Sequence, residues 1–343
     1  MVRNLALNHG EDHIHIVALT QDTSPPAQER FRALYEDPHI TVTVLNKPRG
    51  KGHWGVIRAL RRLFKQPMDA LIVHHEHVLP MVLPAALGRS FITIQVIHNQ
   101  RLDAIPWHRH LGRRFFDHYV FVSESGRQEG RVTYRLPLSQ TSTIRNGIPL
   151  STFTPPSSPP ALSFLFVGRL TAQKNLMGLI DRYERYATLV AHPAPLTILG
   201  QGEDQTALEA RLARSPQSCL ITLQPVSGDM PARYAEHAVL VLPSLYEGTP
   251  MVILEAMACG LGVIAHDVGD VSSLIDEDCG AVIDPNDVEA FAQAMVRMHD
   301  PIRLAKVRKH AVQRAQSFSD ARMSEQYRTL LLTLKKSSGP KAG

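Results

Sequence analysis

Short apolar runs alternate with amphipathic stretches along most of the chain, and this alternation limits the fold more than any other feature. In the first half, apolar runs at 13–19 (HIHIVAL), 40–45 (ITVTVL) and 91–97 (FITIQVI) are separated by stretches of helical periodicity such as 28–35 and 53–65. Continuous apolar runs are typical of parallel strands buried on both faces, which helical crossovers then cover. The pattern therefore predicts a doubly wound α/β domain.

A proline-rich segment divides the alternation into two series. Residues 149–161 (PLSTFTPPSSPPA) hold five prolines in thirteen positions, which disfavours helix and sheet and predicts an interdomain linker. Residues 1–148 are then a first domain and residues 162–318 a second α/β domain, in which strands are predicted at 164–167, 196–199 and 239–242. Residues 319–343 are predicted to form a helix that crosses back toward the first domain, followed by a disordered tail. Two such domains would leave a ligand cleft at the carboxyl ends of their sheets.

The composition is that of an ordinary globular protein. The chain has 343 residues, of which 44% are apolar and 20% charged, enough for two cores. We find no apolar run of about 18 residues and no apolar leader, so neither a membrane span nor a secretory signal is expected. The three cysteines, Cys219, Cys259 and Cys279, lack metal-ligand spacing and are expected to be buried in a reducing compartment, which predicts a cytoplasmic protein.

The basic residues are concentrated in the first half of the chain. Residues 1–150 contain 19 lysines and arginines against 12 acidic residues, whereas the remainder contains 18 against 20. A basic first half suggests an anionic partner such as a membrane surface or a lipid-diphosphate acceptor, and a solvated basic face is the alternative. Because no nucleic-acid-binding motif accompanies the charge, nucleic acid is not an expected partner.

One segment, 243–260 (PSLYEGTPMVILEAMACG), predicts a loop that leads into a helix. Thr249 is the expected N-cap, Pro250 the first helical residue and Gly260 the stop. The free N–H groups of the first turn and the positive end of the helix dipole would form a site for an anion such as a diphosphate.

Two glutamates flank this predicted anion site. Glu247 precedes the helix and Glu255 lies in its second turn. A carboxylate can accept hydrogen bonds from two vicinal hydroxyls, so Glu255 suits a ribose and Glu247 suits a hexose.

Glu247 and Glu255, with seven residues between them, resemble the E-x7-E signature of retaining GT-B glycosyltransferases of family 4, the glycogen-synthase-like hexosyltransferases. The resemblance covers most of residues 5–335 and implies a GT-B fold, in which two Rossmann-like domains face a central cleft. Three further segments resemble the same family, in the same order: 144–148 (IRNGI), 167–174 (VGRLTAQK) and 199–203 (LGQGE).

The resemblance implies a hexosyltransferase that moves a sugar from a nucleoside diphosphate to a glycan or lipid-linked acceptor, with retention of anomeric configuration. The nucleotide sugar is a co-substrate, and no metal or other cofactor is expected. Family members often extend lipopolysaccharide or exopolysaccharide, which predicts polysaccharide biosynthesis at the cytoplasmic membrane face. The basic stretch 53–65 is a candidate for peripheral contact with anionic lipid; its cationic residues are Arg58, Arg61, Arg62 and Lys65.

The resemblance also assigns roles to individual residues. Arg169 and Lys174 would hold the donor diphosphate, where two cations stabilise the charge that grows on the leaving group. His98 would contact the transferred sugar and its phosphate, and Val226 would pack against the base. The predicted catalytic residues are Arg169, Lys174, Glu247 and His98. The predicted donor-binding residues are Gly168, Gly200, Val226, Gly248, Thr249, Pro250, Met251, Val252 and Glu255.

Each assignment has a structural alternative. Arg169 and Lys174 could be solvent-facing loop charges, and Glu247 could be a surface carboxylate. The alternatives for the other three residues are a salt bridge for Glu255, ordinary loop packing for Val226 and backbone contacts for His98. The cluster at 74–77 (HHEH) suggests a metal, but neighbours on a strand point to opposite faces, so no metal site is predicted.

The chain departs from the family pattern at its beginning. Family members open with a strand, a glycine-rich loop and a helix, whereas residues 1–8 (MVRNLALN) resemble the tail of that helix. The first strand and loop are expected to be missing, which would leave neighbouring strands unpaired. A wrong start site and an inactive protein are the two explanations. A smaller departure is Asn175, which stands where glycine is common.

Three other functions can be compared with these observations. The first is a non-catalytic remnant that binds a nucleotide or a glycan, which the missing loop suggests. A GT-B sugar-nucleotide epimerase would need acid–base pairs that we do not find. A dinucleotide dehydrogenase would need a G-x-G-x-x-G after a strand, and the chain has none.

Overall fold

The structure, a computed structural model, divides the chain into two compact units. The first unit is Met1–Gly147 with Asp320–Gly343, and the second is Ile148–Ser319. The residues that the structure describes are 12–19, 37–45, 47, 52–74, 76–98, 113–226 and 228–337. The predicted helix at 28–35, the missing first strand and the disordered tail lie outside these residues.

The first unit contains two groups of parallel strands. Strands β1 and β2 pair with each other, and β3 to β6 form a sheet in chain order. Within the described residues, β1 pairs with no strand other than β2. Continuous burial along β4, all six of whose residues are buried, is what helices on both faces of a parallel sheet produce. The elements are β1 (Ile14–Ala18), β2 (Ile40–Val44), α1 (His53–Leu63), β3 (Ala70–Val73), α2 (Leu79–Ala86), β4 (Ile92–Ile97), β5 (His118–Phe121), α3 (Glu124–Tyr134) and β6 (Thr141–Thr143).

The second unit is built on one six-stranded parallel sheet. The order across the sheet is β12-β11-β10-β7-β8-β9. Strands β8 and β9 follow β7 on one side, and β10, β11 and β12 follow on its other side, so the order of the strands reverses between β7 and β10. In doubly wound sheets, ligands bind at the carboxyl ends of the strands at such a reversal. The elements are β7 (Phe164–Val167), α4 (Leu176–Ala187), β8 (Leu196–Leu199), α5 (Gln205–Leu212), β9 (Ile221–Gln224), α6 (Met230–Ala235), β10 (Val239–Leu242), α7 (Met251–Ala258), β11 (Gly262–His266), α8 (Val271–Leu274), β12 (Gly280–Ile283), α9 (Val288–Arg297) and α10 (Pro301–Ala315).

The last helix, α11 (Asp320–Ser337), belongs to the first unit. Its residues Met323 and Tyr327 are buried in one cluster with Ile94 of β4 and Val120 of β5. Spacing of four residues places these two side chains on the same helix face. The apolar stripe of α11 therefore completes one face of the β3–β6 sheet.

The proline-rich segment 149–161 is irregular and packs against the second unit. Leu150 and Phe153, which lie among its prolines, pack against the core of the second unit. The Phe153 ring meets the Tyr234 ring edge-on with 6.1 Å between centroids. The segment is thus part of the second unit, because burial of its two large apolar side chains stabilises it there.

Three elements of the second unit are not predicted from sequence, namely α8, β12 and α10. The start of α10 has a recognisable signal, since the Asp300 carboxylate accepts from the N–H groups of Ile302 and Arg303 and Pro301 follows it. An Asp-Pro pair of this kind is a typical helix beginning.

The prediction of buried cysteines is wrong for Cys219. Cys259 and Cys279 are buried, but Cys219 is exposed. It lies in a short 3-10 turn, Ser218–Leu220, that leads into β9 at the surface. None of the described helices is both long and apolar enough to cross a bilayer.

Candidate functional site

The loops that follow β7 and β10 are hydrogen-bonded to each other where the strand order of the six-stranded sheet reverses. The Leu245 N–H donates to the Gln173 carbonyl at 2.8 Å. The Gln173 amide Nε2 donates in turn to the Tyr246 carbonyl, also at 2.8 Å. Because β7 and β10 are parallel neighbours, their carboxyl ends emerge side by side and this contact needs no long excursion of either loop.

This contact brings two of the predicted catalytic residues together. Lys174 Nζ lies 2.5 Å from Glu247 Oε1, and their side chains are 14% and 8% exposed. Lys174 is therefore not a solvent-facing charge in the structure, and Glu247 is not a surface carboxylate. An ion pair with so little exposure is screened weakly by solvent, so the attraction between the two charges is stronger here than in an exposed pair.

Glycines allow the neighbouring loops to approach at the level of the backbone. A Cβ atom at Gly200 would lie 2.3 Å from the Gly168 carbonyl oxygen. The Leu170 N–H donates to the Gln201 carbonyl at 2.9 Å, which links the same two loops. Only glycine fits at position 200, since no real Cβ approaches an oxygen so closely.

Asn175 has a left-handed backbone with φ 53° and ψ 49°. After glycine, asparagine is the residue that adopts this conformation most readily. The departure from the family pattern at this position therefore preserves the turn that leads from Lys174 into α4.

The helix α7 begins one residue later than the sequence predicts. Its N-cap is Pro250, not Thr249, and its first residue is Met251. Pro250 is extended at ψ 107°, and a residue before proline also avoids the helical region, so both Thr249 and Pro250 stay outside the helix. No side chain caps this end, which leaves the first-turn N–H groups, including that of Val252, without a capping side chain.

The carboxyl end of α7 is as predicted. Gly260 is left-handed at φ 79°. Its N–H donates to the Met257 carbonyl and the Leu261 N–H donates to the Ala256 carbonyl, the pair of bonds that defines a Schellman motif.

Glu255 lies in the second turn of α7, and its partner is a residue that the sequence does not predict. The Tyr234 hydroxyl donates to Glu255 Oε2 at 2.8 Å. Glu255 forms no salt bridge with a described residue, so the structural alternative given for it does not apply. Burial raises the pKa of Glu255, and the hydrogen bond from Tyr234 opposes that rise. Sequence alone carries no signal for this pair, because an interior tyrosine is usually a packing residue.

Gly269, which follows β11, contacts the backbone of Glu247. Gly269 has φ +66°, and a Cβ there would lie 2.2 Å from the Glu247 carbonyl oxygen. The neighbouring Asp270 N–H donates to the Gly248 carbonyl at 3.3 Å. The peptide that carries Glu247 is thus held in place by backbone contact.

Gly269→Ala is expected to displace this peptide. The left-handed backbone alone costs a non-glycine residue about 1–2 kcal/mol, and the added methyl group cannot fit without moving Glu247. We expect turnover to fall by roughly tenfold or more, since misplacement of a catalytic group by about 1 Å has such effects. Gly88→Ala is the matched control, because Gly88 has φ +72° and open space around it. An equal loss of activity in both variants, at matched thermal stability, would contradict the assignment.

Three predicted residues are not part of the Lys174–Glu247 contact. Arg169 is exposed and forms no ion pair with any described residue. Val226 is 44% exposed. His98 lies in the first unit, where its Nε2 is 3.2 Å from His74 Nδ1 and the two rings are stacked. Across the described residues, no three histidine, cysteine or acidic side chains are grouped as metal ligands, and His75 lies outside that search.

Comparison with family models matches both halves of the chain. Residues 1–152 match the model described as Glycosyltransferase Family 4, and residues 161–300 match the model described as Glycosyl transferases group 1.

Curated relatives give partial matches. The O-antigen chain mannosyltransferase B of Escherichia coli is 32% identical over 131 residues, which are 37% of this chain and 34% of the relative. The UDP-Gal:alpha-D-GlcNAc-diphosphoundecaprenol alpha-1,3-galactosyltransferase of Escherichia coli is 31% identical over 175 residues, covering 46% of this chain and 45% of that protein. In both cases the match spans less than half of the relative's length.

Solved structures match nearly the whole chain. The crystal structure of Anabaena HepE in complex with UDP has a TM-score of 0.77 at 18% identity and covers 93% of this chain and 100% of its own. Sucrose-phosphate synthase from Thermosynechococcus elongatus has a TM-score of 0.78 at 18% identity, covering 98% and 92%. At these identities the likeness concerns the fold. Each half of the chain thus matches a glycosyltransferase family model, and the fold is that of the GT-B glycosyltransferases.

Proposed function

We propose that the chain transfers a hexose from a nucleoside-diphosphate sugar to a glycan or lipid-linked acceptor, with retention of anomeric configuration. The observation that carries the proposal is the Lys174–Glu247 pair, whose side chains are 14% and 8% exposed, beside the carboxyl ends of β7 and β10 in the sheet of the second unit. Glu247 of this pair lies in the loop that leads into α7, whose uncapped first turn suits a diphosphate.

In the proposed reaction, the bond between the sugar C1 and the diphosphate oxygen breaks while a bond from C1 to the acceptor oxygen forms. The proton of the acceptor hydroxyl passes to the departing diphosphate. Negative charge grows on that diphosphate, and Lys174, Arg169 and the start of α7 would stabilise it. Glu247 would then accept from hydroxyls of the sugar, and Glu255 from those of the ribose.

The relatives suggest which compounds to examine first. Their names include a mannosyltransferase and a galactosyltransferase that uses a lipid-diphosphate acceptor. HepE, which shares the fold, was crystallised with UDP-glucose. We therefore propose mannose, galactose or glucose as the transferred sugar and a growing surface polysaccharide as the product.

A thermal-shift screen against UDP-, GDP-, ADP- and dTDP-hexoses tests the proposal. A donor present at about 100 times its Kd should stabilise the fold by about 2.7 kcal/mol. The positive donor is then incubated with lipid-linked and soluble glycan acceptors, and the anomer of the product is read by proton NMR. Turnover should persist in EDTA, since Lys174 and Arg169 supply the positive charge. Failure of every donor to shift melting or to release nucleoside diphosphate would refute the proposal, and an inverted product would refute retention.

We also propose that α1 contacts an anionic membrane surface. Val56 and Leu60 are buried on one face of α1, whereas Trp54 is 80% exposed on the other. Tryptophan prefers the headgroup level, and each basic residue near an anionic surface contributes about 1 kcal/mol. The exposed basic residues in α1 and just after it are Arg58, Arg61, Arg62 and Lys65.

Reversing two of these charges is expected to weaken membrane binding. The variant Arg58→Glu/Arg61→Glu should lower partitioning onto phosphatidylglycerol vesicles at least tenfold, by the energy per charge just given. Co-sedimentation with phosphatidylglycerol and with phosphatidylcholine vesicles measures it. Lys309→Glu/Lys336→Glu is the charge-matched control, since both lysines are exposed elsewhere. The proposal fails if the unaltered protein shows no preference for anionic lipid, or if the control loses as much binding.

A further inference from the structure

Tyr234 of α6 is a buried phenol directed at a predicted donor-binding residue. The side chain is fully buried, and its ring is fixed edge-on against Phe153. Its hydroxyl donates to Glu255 Oε2 at 2.8 Å, the one hydrogen bond that it makes with described residues. A buried hydroxyl needs such a partner, so the position of this carboxylate oxygen is determined by α6.

The carboxylate of Glu255 is used asymmetrically as a result. Oε2 is held by Tyr234, whereas Oε1 accepts no hydrogen bond from a described residue, and the residue as a whole is partly exposed. Burial raises the pKa of Glu255, and the bond from Tyr234 acts in the opposite direction. The phenol therefore helps to keep the carboxylate ionised while it restricts the rotamers of a long side chain.

We propose that Tyr234 is a positioning residue that fixes Glu255 so that its second oxygen meets a ribose hydroxyl, and that it thereby sets a preference for ribonucleotides over deoxyribonucleotides. The proposal rests on the proposed function, in which Glu255 binds the ribose of the donor. A site built to accept from a hydroxyl discriminates strongly against an analogue that lacks it, because its own polar group is then left unpaired.

A purely structural role would have a different signature. If Glu255 served only to satisfy the buried phenol, loss of the Tyr234 hydroxyl would lower thermal stability and leave nucleotide selectivity as it was. Tyr183 is a matched control within the same unit. It is also fully buried, and its hydroxyl donates to the Ala194 carbonyl at 2.7 Å, a backbone acceptor in another part of the unit.

The experiment compares Tyr234→Phe, Tyr183→Phe and the unaltered chain by isothermal titration calorimetry. The probes are UDP, 2′-deoxy-UDP and 3′-deoxy-UDP, with the GDP and ADP series used if the donor screen selects those bases. The unaltered chain should prefer the ribonucleotide over at least one deoxy form by roughly tenfold or more. Tyr234→Phe should reduce that ratio at least threefold, by freeing the carboxylate, whereas Tyr183→Phe should retain it.

Each outcome separates the inference from the proposed function. An undiminished ratio in Tyr234→Phe overturns the positioning role. If the unaltered chain binds a nucleoside diphosphate without any ribose preference, the inference fails and donor binding stands. If no nucleoside diphosphate binds, the proposed function fails together with the inference.

Discussion

Lys174→Ala is expected to lower turnover by about a hundredfold or more, the cost of removing a preorganised group that stabilises charge in a transition state. Lys174 is the cation that the structure holds against Glu247 at 2.5 Å with 14% of its side chain exposed. A charge in so restricted a position needs little reorganisation when the diphosphate departs. The effect should appear in kcat, measured by release of nucleoside diphosphate at saturating donor.

The variant also leaves Glu247 without its partner, and that effect must be separated. An uncompensated carboxylate of low exposure destabilises the fold, so Lys174→Ala alone should also melt at a lower temperature. Adding Glu247→Gln should restore the melting temperature without restoring turnover. Lys306→Ala is the control for loss of a lysine ion pair, because Lys306 and Asp278 are both more than 60% exposed and such pairs contribute little. Recovery of turnover in the double variant would show that Lys174 acts only through stability.

Glu255→Gln is expected to weaken binding of the donor nucleoside diphosphate by about 10- to 100-fold, which corresponds to one charged hydrogen bond to a ribose hydroxyl. The amide oxygen of glutamine can still accept from Tyr234, so thermal stability should change little. Glu255→Ala removes both interactions and should lose binding and about 1–3 kcal/mol of stability, because the Tyr234 hydroxyl is then buried without a partner.

The pH dependence of binding offers a second test of Glu255. Since burial raises the pKa of this carboxyl, the ionised form is lost at a higher pH than for an exposed glutamate. Affinity of the unaltered chain should therefore fall on mild acidification, and that component should be absent in Glu255→Gln. Glu289→Gln is a control, since Glu289 is an exposed partner of Arg185. Unchanged titrations in Glu255→Gln would refute the ribose role.

Much of the second unit follows from local sequence. Strands at 164–167, 196–199 and 239–242 have the predicted bounds, because continuous apolar runs between turn residues are typical of buried parallel strands. The stop at Gly260 also matches, since a left-handed C-terminal residue favours glycine. The predicted beginning of α7 differs from the observed one by a residue, because helix ends are the least determined part of a sequence pattern.

The apolar pattern does not predict the long helix α10, although its Asp300-Pro301 beginning is visible in the chain. Its three buried residues, Val307, Ala311 and Ala315, occupy one face at intervals of four. Two of the three are alanines, so the apolar periodicity of α10 is weak. The sequence signal for this helix is its Asp300 N-cap and not its apolar face.

The sequence by itself determined the two α/β series, the order of the family motifs and the residue types proposed to surround a sugar diphosphate, because those features depend on spacing within a few turns or strands. Only the tertiary structure decided that Lys174 pairs with Glu247 across 73 positions of chain, that Tyr234 holds Glu255, and that Gly269 supports the Glu247 peptide. These contacts arise from the order of strands in the sheet, in which β7 and β10 are neighbours although two strands lie between them in sequence. Local periodicity carries no record of that order, since it reports which face of an element is buried and not which element covers it.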